Sequence, residues 1–260
     1  MMLRLSLLLL FAFPSLVSPA VAASPHVFFL IGENEYDTKT TVPAFAKAEL
    51  ETRGVRCTFS LLPADDSNDF PRIDALQGAD LLCVSVRRHT PPKAQMDAIR
   101  AHVAAGKPVV GIRTASHAFA LRASKDGKAA PVPAGHADWP EFDREVFGGN
   151  YRGHYGKGIE TFAKIVPSQA EHPVLAGIST DEFKVPSHLY QNPDLPSWIT
   201  PLLMARMTGR PEVEPIAWVN TKDGRRVFYT SLGSVEDFAM PQFRRLLLNG
   251  VFWALKQPVP

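Results

Sequence analysis

Four apolar runs of six to eight residues, spaced by helix-forming segments, leave this chain few folds to choose from. They are His26–Gly32 (HVFFLIG), Val55–Leu62, Asp80–Val86 (DLLCVSV) and Lys107–Ile112 (KPVVGI). Runs that do not alternate with polar residues read as strands buried on both faces, the mark of a parallel sheet. Pro43–Arg53 reads as a helix, with Pro43 in its first turn and Gly54 as its stop. A second helix is expected after Thr90, its cap, opened by Pro91 and Pro92, with Met96, Ile99 and Val103 on one face and Gly106 at its end. A β-α-β-β-α-β order with short connections implies right-handed crossovers. The expected class is α/β, a mostly parallel sheet flanked by helices.

The second half is less regular. Ala123–Trp139, rich in Gly, Pro and Ala, reads as a long loop. Ile159–Val166 is strand-like, and Glu171–Ile178 is a turn-rich link. Pro215–Val219 and Arg226–Ser231 read as a hairpin around Asp223-Gly224. Pro241–Lys256 reads as a helix with Phe243, Leu246, Leu247, Val251 and Ala254 on one face. With no repeat or linker, residues 24–260 read as one domain.

Residues 1–23 read as a secretory signal peptide. Arg4 supplies the positive start, Leu5–Phe13 the apolar run, and Ala20–Ala23 the small residues of a cleavage site. A membrane anchor fits less well, because Pro14 and Pro19 interrupt the run before it reaches the roughly 20 residues of a span. The expectation is a cleaved, soluble, periplasmic or secreted protein. Cys57 and Cys83 lie in strands that should flank the same central strand, about 9–10 Å apart at two sheet spacings; a disulfide is not expected. With 28 Lys+Arg against 26 Asp+Glu, the chain lacks the basic surplus that nucleic acid requires.

Ligands of open α/β sheets bind outside the carboxyl ends of the strands. That rule selects Gly32–Asp37, Arg87–His89 and Arg113–His117, which should meet at one polar rim. Glu35, Tyr36, Arg87, Arg88 and Ser116 are candidate substrate-binding residues there. Gly111-Ile112-Arg113-Thr114-Ala115 resembles a nucleophile elbow with Arg113 at the tip, so acyl-enzyme chemistry is not expected. Arg113, directly after a buried strand, must pair with a carboxylate (Glu33 or Glu35) or with a ligand oxygen. His117, expected at a helix start, should be neutral and able to act as base or ligand.

A second cluster runs from Trp139 to His154. Gly148-Gly149 lets the backbone approach something closely. Tyr151 and Trp139 suit a sugar face, whereas Phe142 reads as core. His154 is a candidate catalytic partner for His117. These two imidazoles with one of His136, Asp138 or Glu35 would make a three-ligand divalent metal set with an open position, although no tight motif supports it.

Gly111–Phe119 (GIRTASHAF), Phe142-Asp143, Gly148–Tyr151, His154, Pro215–Trp218 (PIAW), Arg226–Gly233 (RVFYTSLG), Phe243 and Asn249–Ala254 (NGVFWA), in this order, resemble the trehalose-utilisation (ThuA-like) family over nearly all of the chain beyond residue 23. The resemblance implies a flavodoxin-like fold related to class I glutamine amidotransferases without their Cys. It also implies carbohydrate catabolism, with trehalose-like or keto-disaccharide substrates. In the family a His often follows Ser-Leu-Gly; here Ser234 does, and His188 is the imidazole on offer instead. Lys184 stands where many members have Tyr.

The expected function is an exported sugar-processing protein, a hydrolase or a related lyase or isomerase. His117, His154 and Arg113 would be its catalytic residues. The alternative is a non-catalytic periplasmic sugar-binding protein relying on Tyr151 and Trp139. Self-association into a homo-oligomer stays open.

Overall fold

A computed structural model describes residues 24–63, 68–122, 126–128 and 130–260. The leader segment lies outside the described residues. No described helix is long and apolar enough to cross a membrane.

The four apolar runs form β1 (His26–Gly32), β2 (Arg56–Leu61), β3 (Leu81–Val86) and β4 (Val109–Ile112). Helices α1 (Thr38–Phe45), α2 (Lys93–Ala104) and α3 (Pro241–Ala254) flank the sheet. The second half adds β5 (Gly153–His154), β6 (Thr161–Ile165), β7 (Phe183–Val185), β8 (Tyr190–Gln191), β9 (Ile199–Met207), β10 (Val213–Asn220) and β11 (Val227–Thr230).

Nine strands make one sheet in the order β2-β1-β3-β4-β11-β10-β9-β6-β7. It is parallel from β2 through β11 and antiparallel beyond. This is a flavodoxin-like α/β fold whose parallel half carries an antiparallel extension. The expected hairpin is β10–β11, turning at Asp223-Gly224.

Alternation along β1 sets the two core layers. Phe29 and Ile31 pack with Val42 and Phe45 of α1 and Leu246 of α3 on one face. Phe28 and Leu30 pack with Met96 and Ile99 of α2, and with Phe119, Phe142 and Phe147, on the other. Strands covered on both sides need no polar face, which explains the unbroken apolar runs.

Several expectations need correction. α1 begins at Thr38, so Pro43 lies inside it. The cause is Glu33, whose carboxylate accepts the amides of Glu35, Tyr36 and Thr38 at 2.8 Å each and fixes the helix entry earlier. Beyond the proline, which has no N–H to donate, the helix continues in wider, then tighter turns to Gly54 at a φ of +78°. Thr90 does not cap α2; Pro92 holds that position, and the Thr90 carbonyl pairs with His136 Nδ1 at 2.6 Å. The cysteines need no correction: Cys57 and Cys83 sit on strands either side of β1, opposite Val27 and Phe29, and both are free.

Gly250 lies mid-helix in α3, where Ala would ordinarily be the better helix former by about 1 kcal/mol. A Cβ there would overlap the Phe228 ring of β11. Gly250→Ala is therefore expected to destabilise by about 1–3 kcal/mol, the usual range for overpacking, read as a lower urea midpoint; a raised midpoint would mean that α3 packs less closely on β11.

Candidate functional site

Three turns meet at the carboxyl ends of β1, β3 and β4, and backbone hydrogen bonds join them. Arg87 N–H donates to Gly32 O at 2.8 Å, Arg88 N–H to His117 O at 3.0 Å, and His89 N–H to Ala118 O at 2.8 Å. The Arg87 guanidinium pairs with Glu35 at 2.7 Å, half in solvent.

Arg113 occupies the sharp bend after β4 with a φ of +45°. The elbow geometry is present with a guanidinium at its tip. Arg113 is only 1% exposed, and it takes neither of the expected partners, because Glu33 is committed to the α1 entry. Its NH1 donates to Ser231 O at 2.7 Å and Ser187 Oγ at 3.0 Å, and NH2 to Tyr36 OH at 3.3 Å. Tyr36 and Tyr190 cover the guanidinium at 4.3 and 4.6 Å. Ser187 donates in turn to Asp237, whose Oδ2 also accepts the amides of Gly233 and Ser234 at 2.7 and 2.8 Å. The buried charge is thus compensated through a hydroxyl relay.

His117 closes a tight turn, Arg113–His117, instead of opening a helix. It is 6% exposed, its Nδ1 lies 3.1 Å from Ser116 Oγ, and its ring stacks on Tyr151 at 4.4 Å. Burial, with the charges of Arg88, Arg87, Arg113 and Arg122 in support, holds its pKa well below the usual imidazole value. These surroundings favour the neutral imidazole through burial and guanidinium charge, in place of the helix start expected from the sequence.

The rim holds two hollows. One, about 480 Å³, is bordered by Glu35, Tyr36, Ser187, His188, Ser234 and Glu236. The other, about 260 Å³, is bordered by Arg88, Ser116, His117, Asp143 and Tyr151, with Arg144 and Arg152 at its edge. Tyr190 links them, its ring 4.7 Å from Tyr151 and 6.2 Å from His188.

His154 does not pair with His117. It is exposed and packs on the His188 ring at 4.5 Å, with Nδ1 on its neighbour's carbonyl at 2.8 Å. β5, which carries it, pairs with β8, which carries Tyr190, and this ribbon sets His154 beside His188. Trp139 is also apart from the rim. It is buried against Phe142, donates to Glu145 at 2.7 Å and lies under Arg100 at 4.1 Å. Among the described residues, no three His, Cys, Asp or Glu side chains are grouped as a metal would need. Glu35 is engaged by Arg87 and His136 by Thr90, so the expected ligand set is not assembled.

Three residues of the rim were not singled out from the sequence, Ser187, Tyr190 and Asp237, and Asp143 stood out only as part of the family pattern, without a role. For Asp143 the signal was Gly148-Gly149, since a Cβ at Gly149 would overlap the Asp143 carboxylate. Burial pushes the Asp143 pKa up to about 7, opposed by the Tyr151 amide, which donates to Oδ2 at 3.0 Å. His188 and Ser234 border one hollow, which puts the alternative imidazole next to the position where the family pattern has His.

Fold and rim together define an α/β protein with a polar site at its strand ends and no nucleophile at the elbow tip. The sequence profile of the ThuA family, described as trehalose utilisation, matches residues 27–254, and the chain belongs to that family. A ThuA-like protein from Bacteroides uniformis superposes with a TM-score of 0.62 at 17% identity, covering 91% of this chain and 95% of the other. One from Parabacteroides merdae gives 0.61 at 17% identity, covering 91% and 92%. The carbohydrate deacetylase Agd3 gives 0.52 at 13% identity over 90% of this chain and 32% of its own. At these identities the likeness is one of fold. No curated protein sequence matches the chain.

Asp143 supplies a pH test. Its folded pKa lies above the unfolded value near 3.9, so its stabilising contribution is complete below about pH 4 and is lost as pH rises through about 7. Asp143→Asn, uncharged throughout, is expected to match the wild-type melting temperature near pH 4 and to exceed it increasingly as pH rises, by several degrees at pH 8. A variant that melts lower at pH 8 would show the carboxylate to be compensated.

Proposed function

We propose that this protein is an exported carbohydrate-processing enzyme of the trehalose-utilisation type. On this reading a trehalose-like or keto-disaccharide occupies the rim, and His117 acts as its general base. The observation that carries the proposal is a buried imidazole, His117, bordering a polar hollow at the strand ends beside Arg88. Hydrolysis, elimination and isomerisation of a sugar all need a proton acceptor at the reacting group, and general-base catalysis is typically worth 10²–10⁴-fold. The larger hollow falls within the range of small-molecule sites. Glu35, Ser187 and Glu236 offer hydroxyl partners there, and Tyr36 an apolar face for a pyranose ring. Arg88 supplies positive charge where oxygen would become negative.

One observation favours a non-catalytic sugar-binding protein instead: Tyr151 already covers one face of His117, and Ser116 engages its Nδ1.

His117→Gln separates the two. For an enzyme, turnover of the responsive sugar is expected to fall at least about 100-fold while calorimetric affinity changes severalfold at most. Binding without product from the wild type over long incubation would establish the binding module and end the enzymatic reading.

A further inference from the structure

The sign of charge around His117 narrows the reaction. Arg88 shares its hollow, and the Arg88 amide donates to the His117 carbonyl at 3.0 Å. Arg113 lies behind Tyr190, whose ring is 4.6 Å from the guanidinium and 6.1 Å from the imidazole. Among the described residues neither Arg88 nor Arg113 forms an ion pair with a carboxylate, and the buried Nε of each has no hydrogen-bond partner. Arg144 and Arg152 add further positive charge at the edge. Of the carboxyl groups bordering this hollow, Glu141 is exposed and Asp143 is held toward its neutral acid by burial.

Such a site opposes one kind of sugar chemistry and favours another. Glycoside hydrolysis passes through an oxocarbenium-like state and uses a pair of carboxyl groups to protonate the leaving oxygen and meet the growing positive charge. Guanidiniums around the base work against it. A sugar develops negative charge instead when a proton leaves the carbon beside a carbonyl group, and preorganised cations stabilise that charge directly.

We propose that His117 abstracts a proton from the carbon adjacent to the carbonyl of an open-chain or oxidised sugar, within the field of Arg88 and Arg113. The C–H bond breaks and its electron pair forms a carbon–carbon double bond. The carbonyl π pair moves onto oxygen, giving an enediolate, and the imidazole carries the proton. When the hydroxyl proton on the neighbouring carbon passes to the former carbonyl oxygen, return of the proton held by His117 to the former carbonyl carbon closes the new carbonyl and yields the isomeric sugar. Without that oxygen-to-oxygen transfer, return to the original carbon regenerates the substrate. The substrate class is a carbonyl-bearing sugar, and the inference rests on the reading of His117 as the base of a sugar site.

The test is hydrogen exchange in D₂O, followed by proton NMR, with D-glucose, D-fructose and a 3-keto-disaccharide as probes. Wild-type protein is expected to replace the hydrogen beside the carbonyl of at least one probe. His117→Gln is expected to slow the exchange about 100-fold or more. Arg88→Gln, at a partly exposed loop position, is expected to slow it about tenfold or more by weakening the field, and it carries the test should His117→Gln fail to fold. Exchange at the wild-type rate in either folded variant overturns the proposal. So does glycoside cleavage, or acetate release from an acetylated sugar, without exchange. A probe that binds by calorimetry yet never exchanges overturns the proton abstraction and leaves the sugar site standing; no binding of any sugar removes both.

Discussion

The buried guanidinium of Arg113 is the interaction on which the site depends. Its backbone bend ends β4, and its side chain reaches the end of β11 through Ser231, the loop after β1 through Tyr36, and the segment before β8 through Ser187. Taking a charge out of water costs several kcal/mol unless it is well compensated. Compensation here is spread over a carbonyl, two hydroxyls and the faces of two tyrosines, with Asp237 one hydroxyl away. The partners come from three separate stretches of the chain, at Tyr36, at Ser187 and Tyr190, and at Ser231 and Asp237, so one charge fixes their common geometry. Tyr229 completes the arrangement by donating to the Arg113 carbonyl at 2.7 Å.

This arrangement also sets the electrostatics. A guanidinium that cannot lose its proton stands near an imidazole that can. Burial and the neighbouring arginines both keep that imidazole uncharged. The same surroundings that make His117 a poor cation keep it unprotonated, at a cost in basicity, and they favour any oxygen that becomes negative beside it. The hollow at His117 is lined by guanidiniums, and sugar chemistry that develops positive charge there gains nothing from them.

The parallel half of the fold was legible because burial on both faces removes polar residues from β1, β3 and β4, leaving runs that composition alone exposes. The rule of strand carboxyl ends then selected the loops carrying Tyr36, Arg88 and His117. β9 left no such trace: its burial alternates irregularly around Pro201, between the buried β10 and the partly exposed β6. The partners of Arg113 were beyond reach for a different reason. Ser187 and Ser231 lie 74 and 118 residues away, and nothing local distinguishes them from other serines. Glu33 was misassigned because a carboxylate in a loop expected to meet Arg113 at the same rim looks like its partner, whereas three amides closer at hand claim it. Trp139 shows the same limit, since an aromatic residue next to polar ones suits a sugar or a core equally until packing is known.

The most direct measurement is the ionisation of His117 itself, followed by the carbon and nitrogen NMR shifts of labelled histidine against pH in the ligand-free protein. The imidazole is expected to stay neutral well below pH 6.5 and to move toward its ordinary value when Arg88 is replaced by Gln, since burial and guanidinium charge together hold it there. A His117 that titrates near 6.5 in the intact protein, indifferent to Arg88, would contradict the account of the site.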